Sequence, residues 1–185
     1  MKVTKEYEWN EVVWADLNIG GSVQLPEFTV PETTVAGDRE LHFEEQTVKD
    51  TATVYNIKDD KVYLVFDHAL FPSPMDLNNA TKWKKTQLHD YLSGAFRNSM
   101  KDVDIPALEV SLLSKDEVLG LPFFKNGRNR IAFIKDESES VWCWLKNVAS
   151  ASYFCYASNY GYANCDGAST AYIFVRPCLV VKKED

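Results

Sequence analysis

Cysteines, histidines and a concentration of tyrosines are the side chains here whose types could carry chemistry. Cys143, Cys155, Cys165 and Cys178 lie twelve, ten and thirteen positions apart, all in the last quarter of the chain. No two form CxxC, whereas a structural zinc site usually takes two ligands from one tight turn, so no metal is expected. Reduced, packed thiols are the expectation. A disulfide is the alternative, and its three pairings cannot be separated by spacing. His42, His68 and His89 stand apart from the cysteines and from one another. A Cys-His nucleophile would have to be assembled in space from Cys155 or Cys165 and one of these imidazoles. The chain has no HExxH, no GxSxG and no glycine-rich phosphate loop. Its carboxylates are scattered singly and read as solvated surface. Neither an enzymatic activity nor a cofactor is expected.

The tyrosines suggest a different chemistry. Tyr153, Tyr156, Tyr160, Tyr162 and Tyr172 alternate with Ser152, Ser158, Asn159, Asn164 and Ser169. Tyrosine gives large contact area with two χ angles to freeze, and serine and asparagine give adaptable hydrogen bonds, which is the composition of a recognition surface. The candidate ligand-binding set is Tyr153, Tyr156, Asn159, Tyr160, Tyr162, Asn164 and Tyr172. Tyr160 and Tyr162 straddle Gly161 and are expected on one face, exposed together. The competing reading packs these rings onto a sheet with their hydroxyls at its rim. Trp142, Trp144, Gly167, Arg176 and Pro177 are assigned to structure. Arg176, between IFV and PCL, needs carboxylate or carbonyl partners to be tolerated.

The totals bound the scaffold that must position these groups. The chain has 185 residues, 45% hydrophobic and 25% charged, which suits one soluble globular domain. A net charge of -7 and the lack of a long basic run argue against nucleic acid as partner. Glu6, Glu8 and Glu11 interrupt the opening stretch where a secretory signal needs an apolar run, and no segment approaches a membrane span. A cytoplasmic or phage-particle location is expected. The oligomeric state is left open.

Short apolar runs broken by Gly20, Gly21, Pro26 and Pro31 predict extended segments at Val23 and Leu25, at Phe28 and Val30, and at Leu41 and Phe43, with the prolines outside any central ladder. TATVYNI and VYLVF flank a polar turn, which predicts a hairpin over 51–66. Thr81 is expected to cap a helix over 82–98. That helix would bury Leu88, Tyr91, Leu92, Ala95 and Phe96, with Gly94 allowing a close approach to the sheet. A short strand over 107–113 leads to Ser114 and Glu117, a capping box for a second helix. Residues 121–130 read as a loop with a small basic spot at Arg128 and Arg130. In 140–181, nine of the twenty-four aromatic residues occur with only three charged side chains, Lys146, Asp166 and Arg176. There, VWCWL predicts a central strand with Trp142 and Trp144 on one face and Val141, Cys143 and Leu145 on the other. Asn164-Cys165-Asp166-Gly167 reads as a tight turn in which Gly167 can take positive φ.

VWCWLKN, the CDG segment and the closing FVRPCLVV together resemble an uncharacterised bacterial and phage domain family, whose form is a WWLRSP-like strand, a DG turn and a GVRPAL-like strand. KVYLVFDHAL, TKWKKTQLHDYLSGAFRNSM and EVSLLSKDEVLG extend the resemblance over residues 51–181. Lys146, Asn147 and Val148 stand where the family commonly has Arg, Ser and Pro, and Cys178 where it has a small residue. The resemblance implies a relative of the C-type-lectin-like fold of the formylglycine-generating enzymes. The implied class is α+β, with short antiparallel strands, one main amphipathic helix and a second short helix. Residues 1–50 would be N-terminal β segments, extending or packed on the domain, 51–181 the C-type-lectin-like domain and 182–185 a charged tail. The implied function is non-enzymatic recognition of a protein or carbohydrate, associated with a bacterial or phage surface, through tyrosine-rich loops over 150–172. Catalysis by a cysteine on the formylglycine-generating scaffold, or a structural role in a phage assembly, is the alternative. Asn159, Asn164 and Asp166 are too few and too spread for calcium-dependent sugar binding.

Overall fold

A computed structural model describes residues 6–12 and 16–183. Residues 1–5 and 13–15 of the N-terminal segment, and Glu184 and Asp185 of the charged tail, lie outside the described residues. The class is α+β and dominated by strands. The N-terminal quarter supplies β1 (Glu6–Glu8), β2 (Ser22–Gln24), β3 (Phe28–Val30), β4 (Thr33–Val35), β5 (Leu41–Phe43) and β6 (Gln46–Val48). The hairpin follows as β7 (Thr51–Lys58) and β8 (Lys61–Phe66), with Asp59 in the left-handed region at its turn. Next come β9 (Phe71–Pro72), β10 (Glu109–Ser111), β11 (Ala132–Phe133) and β12 (Ser140–Val141). The tail gives β13 (Cys143–Ser150), β14 (Tyr153–Ala157), β15 (Ala163–Gly167), β16 (Phe174–Val175) and β17 (Cys178–Lys182).

Two sheets organise the chain. One has the order β1-β2-β7-β8-β17-β10, the other β15-β14-β13-β16-β9. Most pairs are antiparallel, but β1 runs parallel to β2 and β13 parallel to β16. β3 pairs with β6 and β4 with β5 as separate two-stranded ribbons, and Pro26 and Pro31 fall between strands, where no ladder donor is needed. β2 joins β7 directly, and Val23, Leu25, Phe28, Val30, Leu41 and Phe43 share one buried cluster with the later sheets. The N-terminal strands are thus part of the main core.

The pleat sorts the buried side chains into layers. Val62, Leu64 and Phe66 of β8, with Leu179 and Val181 of β17, join Trp144, Phe154 and Tyr156 in the large cluster. Their neighbours Val65 and Cys178 turn the other way and meet Leu145, Cys155 and Ala157 from the second sheet. In β7 the register shifts between Val54 and Asn56, a bulge at Tyr55; by the pleat Val54 enters the large cluster and Tyr55, on the opposite face, the second. β13 occupies the middle of its sheet, with Trp144 in the large cluster and Trp142 packed against it, while Val141 and Cys143 lie in a third, smaller cluster.

The main helix differs from its expected bounds. Trp83–Lys85 forms a single 3₁₀ turn, and the helix proper starts as α1 (Gln87–Tyr91), capped by Thr86 and not by Thr81. Thr86 has extended ψ (150°), which ends the 3₁₀ turn, and its hydroxyl accepts from the His89 amide at 3.1 Å. A π turn at Leu92–Phe96 then leads into α2 (Arg97–Lys101). Leu88, Tyr91, Leu92, Phe96 and Met100 are all buried, and Tyr91 stacks on Phe43 with ring centroids 3.8 Å apart. Gly94 does not serve a close approach, since a Cβ built there meets nothing within 4 Å. Residues 121–130 fold as two 3₁₀ turns, Pro122–Lys125 and Gly127–Arg130.

The second helix, α3 (Lys115–Gly120), carries the full capping box: Glu117 N–H donates to Ser114 Oγ at 3.1 Å, and Ser114 N–H to Glu117 Oε2 at 2.6 Å. Ser114→Ala is expected to lower stability by about 1 kcal/mol in urea unfolding, because a first-turn amide loses its acceptor. Among the described residues no helix is long and apolar enough to cross a membrane.

Candidate functional site

The segment expected to be tyrosine-rich loops is largely a hairpin. β14 and β15 pair from Tyr153 opposite Gly167 to Ala157 opposite Ala163, and the turn between them is 158–162. Asn164-Cys165-Asp166-Gly167 is therefore strand and not turn, and Gly167 does not have positive φ. The glycine that needs the left-handed region is Gly161 (φ 79°), buried where a Cβ would come within 3.3 Å of Arg130 Cβ and 3.4 Å of the Gly127 carbonyl. Ser158 closes the turn: its amide donates to the Tyr162 carbonyl at 2.7 Å, and its hydroxyl accepts from the amides of Tyr160 and Tyr162.

This turn leaves Tyr160 75% and Tyr162 71% exposed. They flank a left-handed glycine and so do not share a strand face in the expected way, but they are exposed together. Tyr153 and Tyr172 are also at least half exposed. Among the described residues every exposed aromatic is one of these four tyrosines. Tyr156 is different. It is buried in the large cluster, its ring stacked under Trp142 at 4.9 Å, which removes it as a direct contact and makes it the support of the ring above.

Trp142, half-buried, is the centre of a small aromatic and polar group. Tyr172 approaches it at 5.8 Å, and its indole N–H donates to Asn159 Oδ1 at 3.1 Å. Asp166 fixes Tyr172 by accepting from its hydroxyl at 3.1 Å, and also accepts from Thr170 Oγ1 at 3.0 Å. The Asp166 carboxylate raises the Tyr172 phenol pKa, chiefly through that hydrogen bond. Trp142, Tyr172, Asn159, Phe174, Glu139 and Ser140 line a cleft of about 230 Å³. Asn164 is exposed and sits opposite Tyr156 in the ladder, on the same side of the hairpin. Of the seven candidate residues, the structure thus gathers Asn159 and Tyr172 at the cleft, sets Asn164 beside it and Tyr160 and Tyr162 at the turn. Tyr153 alternates onto the opposite side of the hairpin with Cys155.

The residues assigned to structure have structural partners. Trp144 is 1% exposed and donates from Nε1 to the Ser73 carbonyl at 2.8 Å. Arg176 is buried and satisfied by carbonyls, Nε donating to Phe66 O at 2.8 Å and Nη1 to Asn129 O at 3.0 Å. Desolvation pulls its pKa down, and the nearby Cys143, Asp67 and Asp50 oppose that. The Pro177 carbonyl accepts from the Phe66 amide at 3.0 Å. All four cysteines are free; three are buried, but Cys165 is exposed, contrary to the expectation of four packed thiols. Burial pushes Cys143 and Cys178 up to about 12, which keeps both as thiols.

One polar pair was not anticipated. Asp50, 6% exposed, holds His68 twice, through Nδ1 at 2.6 Å and through the backbone amide at 3.0 Å, and Glu137 lies 3.5 Å from Nε2. Burial raises the Asp50 pKa, against the lowering effect of His68. The only sequence signal was the hairpin, whose arms bring 50 and 68 together once the bulge is known. His42 and His89 likewise have carboxylates beside them. Among the described residues no group of three or more His, Cys, Asp or Glu side chains is placed to hold a metal ion.

No protein-family model, curated protein or solved structure matches the chain.

Proposed function

We propose that the chain is a non-enzymatic recognition module of C-type-lectin-like architecture, acting at a bacterial or phage surface, and that its ligand is a carbohydrate. The observation that carries this reading is that all exposed aromatic side chains among the described residues are tyrosines of one twenty-residue segment. Beside them lies a cleft with a tryptophan ring, a tyrosine ring, an amide and a carboxylate. A pyranose has an apolar C–H face that stacks on an aromatic ring and a rim of hydroxyls that takes amide and carboxylate partners, which is the chemistry this cleft offers. Its volume of about 230 Å³ suits a single sugar ring. The aromatic floor is rigid in advance because Tyr156 backs Trp142 and Asp166 anchors Tyr172. Burial keeps Cys143 and Cys178 as thiols, which weighs against those two as nucleophiles.

Tyr160→Ala combined with Tyr162→Ala is expected to change stability by no more than about 0.5 kcal/mol, because both rings are solvated. In calorimetry against hits from a glycan array the same variant is expected to weaken binding by about tenfold or more. A protein ligand found on the same face, with no glycan bound, would replace the carbohydrate. A stability loss of several kcal/mol in the double variant would return these rings to a packing role.

A further inference from the structure

The register of the β14–β15 hairpin sets Cys155 directly opposite Cys165. Antiparallel pairs alternate between hydrogen-bonded and non-hydrogen-bonded, and the flanking contacts fix the phase of this ladder. The Ser158 amide donates to the carbonyl of its opposite, Tyr162, at 2.7 Å, and the Ala168 amide to the carbonyl of Ser152 at 2.9 Å. These bonds mark the even-numbered positions of β14, with Tyr156 opposite Asn164 and Phe154 opposite Asp166, as hydrogen-bonded pairs. Cys155 and Cys165 fall on the alternate phase, the non-hydrogen-bonded class, whose Cα atoms lie about 4.5 Å apart with side chains closer than in the other class. A disulfide spans Cα separations of about 4.4–6.8 Å, so this pair reaches bonding range without moving either strand.

The two thiols are unequal in access. Cys165 is exposed and Cys155 is 6% exposed, packed with Leu145 and Ala157. Cys143 and Cys178, both buried, have no such opposed partner: Cys143 faces Ala157 and Phe174, and Cys178 faces Val65 and Ser111. Of the cysteine pairs the spacing left open, Cys155–Cys165 is therefore the one set face to face in a ladder.

We propose that Cys165 and Cys155 form a thiol–disulfide exchange site that takes a low-molecular-weight disulfide as its oxidant and closes a cross-strand disulfide over the 158–162 turn. The Cys165 thiolate attacks the small disulfide, whose S–S bond breaks, releasing one thiol and leaving a mixed disulfide on Cys165. The Cys155 sulfur, its proton passed to solvent, then attacks the Cys165 sulfur and expels the second small thiol. Two protein thiols lose two electrons and two protons, and one small disulfide becomes two small thiols. The bond encloses the turn that bears Tyr160 and Tyr162, so the oxidised chain holds that turn covalently.

The test treats the full chain, folded, with oxidised glutathione at mild alkaline pH and maps the products by non-reducing peptide mass spectrometry. The expected product is a monomer lighter by about 2 Da, with one cross-linked peptide joining Cys155 to Cys165. Cys155→Ser is expected to stop at a stable glutathione adduct on Cys165, heavier by about 305 Da, and Cys165→Ser to remain unmodified at Cys155. Circular dichroism confirms that each variant is folded, and the wild-type map decides the matter alone if one is not. A wild-type chain that accumulates the Cys165 adduct, forms an intermolecular dimer, links through Cys143 or Cys178, or stays fully reduced overturns the proposal.

Discussion

Trp144→Ala is expected to destabilise the protein by about 3–5 kcal/mol, the range for removing a fully buried large aromatic. Trp144 is 1% exposed in the central strand of the second sheet and belongs to the cluster both sheets share. It also ties that strand to the segment after β9, through Nε1–H donating to the Ser73 carbonyl at 2.8 Å. The alanine variant loses the buried area, gains a cavity and leaves that carbonyl without its partner. Trp144→Phe retains most of the volume but not the donor, so its loss is expected to be about 1–3 kcal/mol. Urea unfolding with an unchanged m-value is the measurement. Since domains of ordinary size have about 5–15 kcal/mol in total, the alanine variant approaches the threshold of folding. A loss below about 1 kcal/mol would mean that the sheets are not joined through this residue.

Trp144 was legible in the sequence because strand periodicity is local. VWCWL alternates two aromatic with three smaller apolar side chains, and the structure sends Trp142 and Trp144 toward the large cluster and Val141, Cys143 and Leu145 to the two smaller ones. It does so although Val141 pairs in β12, Trp142 is half-buried and only 143–145 belong to β13. The hairpin over 51–66 and the Ser114–Glu117 capping box were legible for the same reason, since turn and cap chemistry are written within a few residues. What escaped depends on partners distant in sequence. Thr81 and Thr86 are both acceptable caps by type; the extended backbone of Thr86 after the 3₁₀ turn selects it. Asn164-Cys165-Asp166-Gly167 has turn composition, yet four cross-strand pairs with β14 override that propensity, and Asp166 uses its carboxylate to hold Thr170 and Tyr172.

The same division holds at the candidate site. Tyr160 and Tyr162 next to Gly161 announce an exposed turn. Nothing local distinguishes Tyr156, which is buried because it falls on the strand face under Trp142. The Asp50–His68 pair escaped for a register reason. Near the turn Lys58 faces Lys61 and Ile57 faces Val62, a phase that would set residue 50 against 69. The bulge at Tyr55 moves the pairing by one, so that Ala52 faces Phe66 and Asp50 meets His68. A single inserted residue thus decides which side chain the buried carboxylate receives.

Alkaline solution is expected to unfold the protein through its buried thiols. Cys143 and Cys178 are pushed from 9.0 up to about 12, in both cases mainly by desolvation. Burial also raises the phenols of Tyr55 and Tyr91. In the unfolded chain the thiols titrate near their ordinary value, so between pH 9 and about 12 the unfolded state has shed protons that the native state still holds. With fewer protons bound in the unfolded state, stability falls as pH rises. The native advantage is complete below pH 9, declines through the window and is fully lost once pH passes the folded values. Each thiol contributes a slope of up to about 1.4 kcal/mol per pH unit, so the pair lowers stability by roughly 5 kcal/mol at pH 11. That is comparable to the whole stability of many domains. Urea midpoints measured from pH 8 to 11 under reducing conditions are expected to fall steeply above pH 9, and Cys143→Ala with Cys178→Ala to flatten the fall up to pH 10, where the tyrosines begin to ionise in the unfolded chain. An identical slope in the double variant would place the alkaline sensitivity on the phenols instead. The outcome bears on exchange at Cys165, because oxidation under native conditions must be carried out below this window if Cys143 and Cys178 are to stay buried and out of reach of the oxidant.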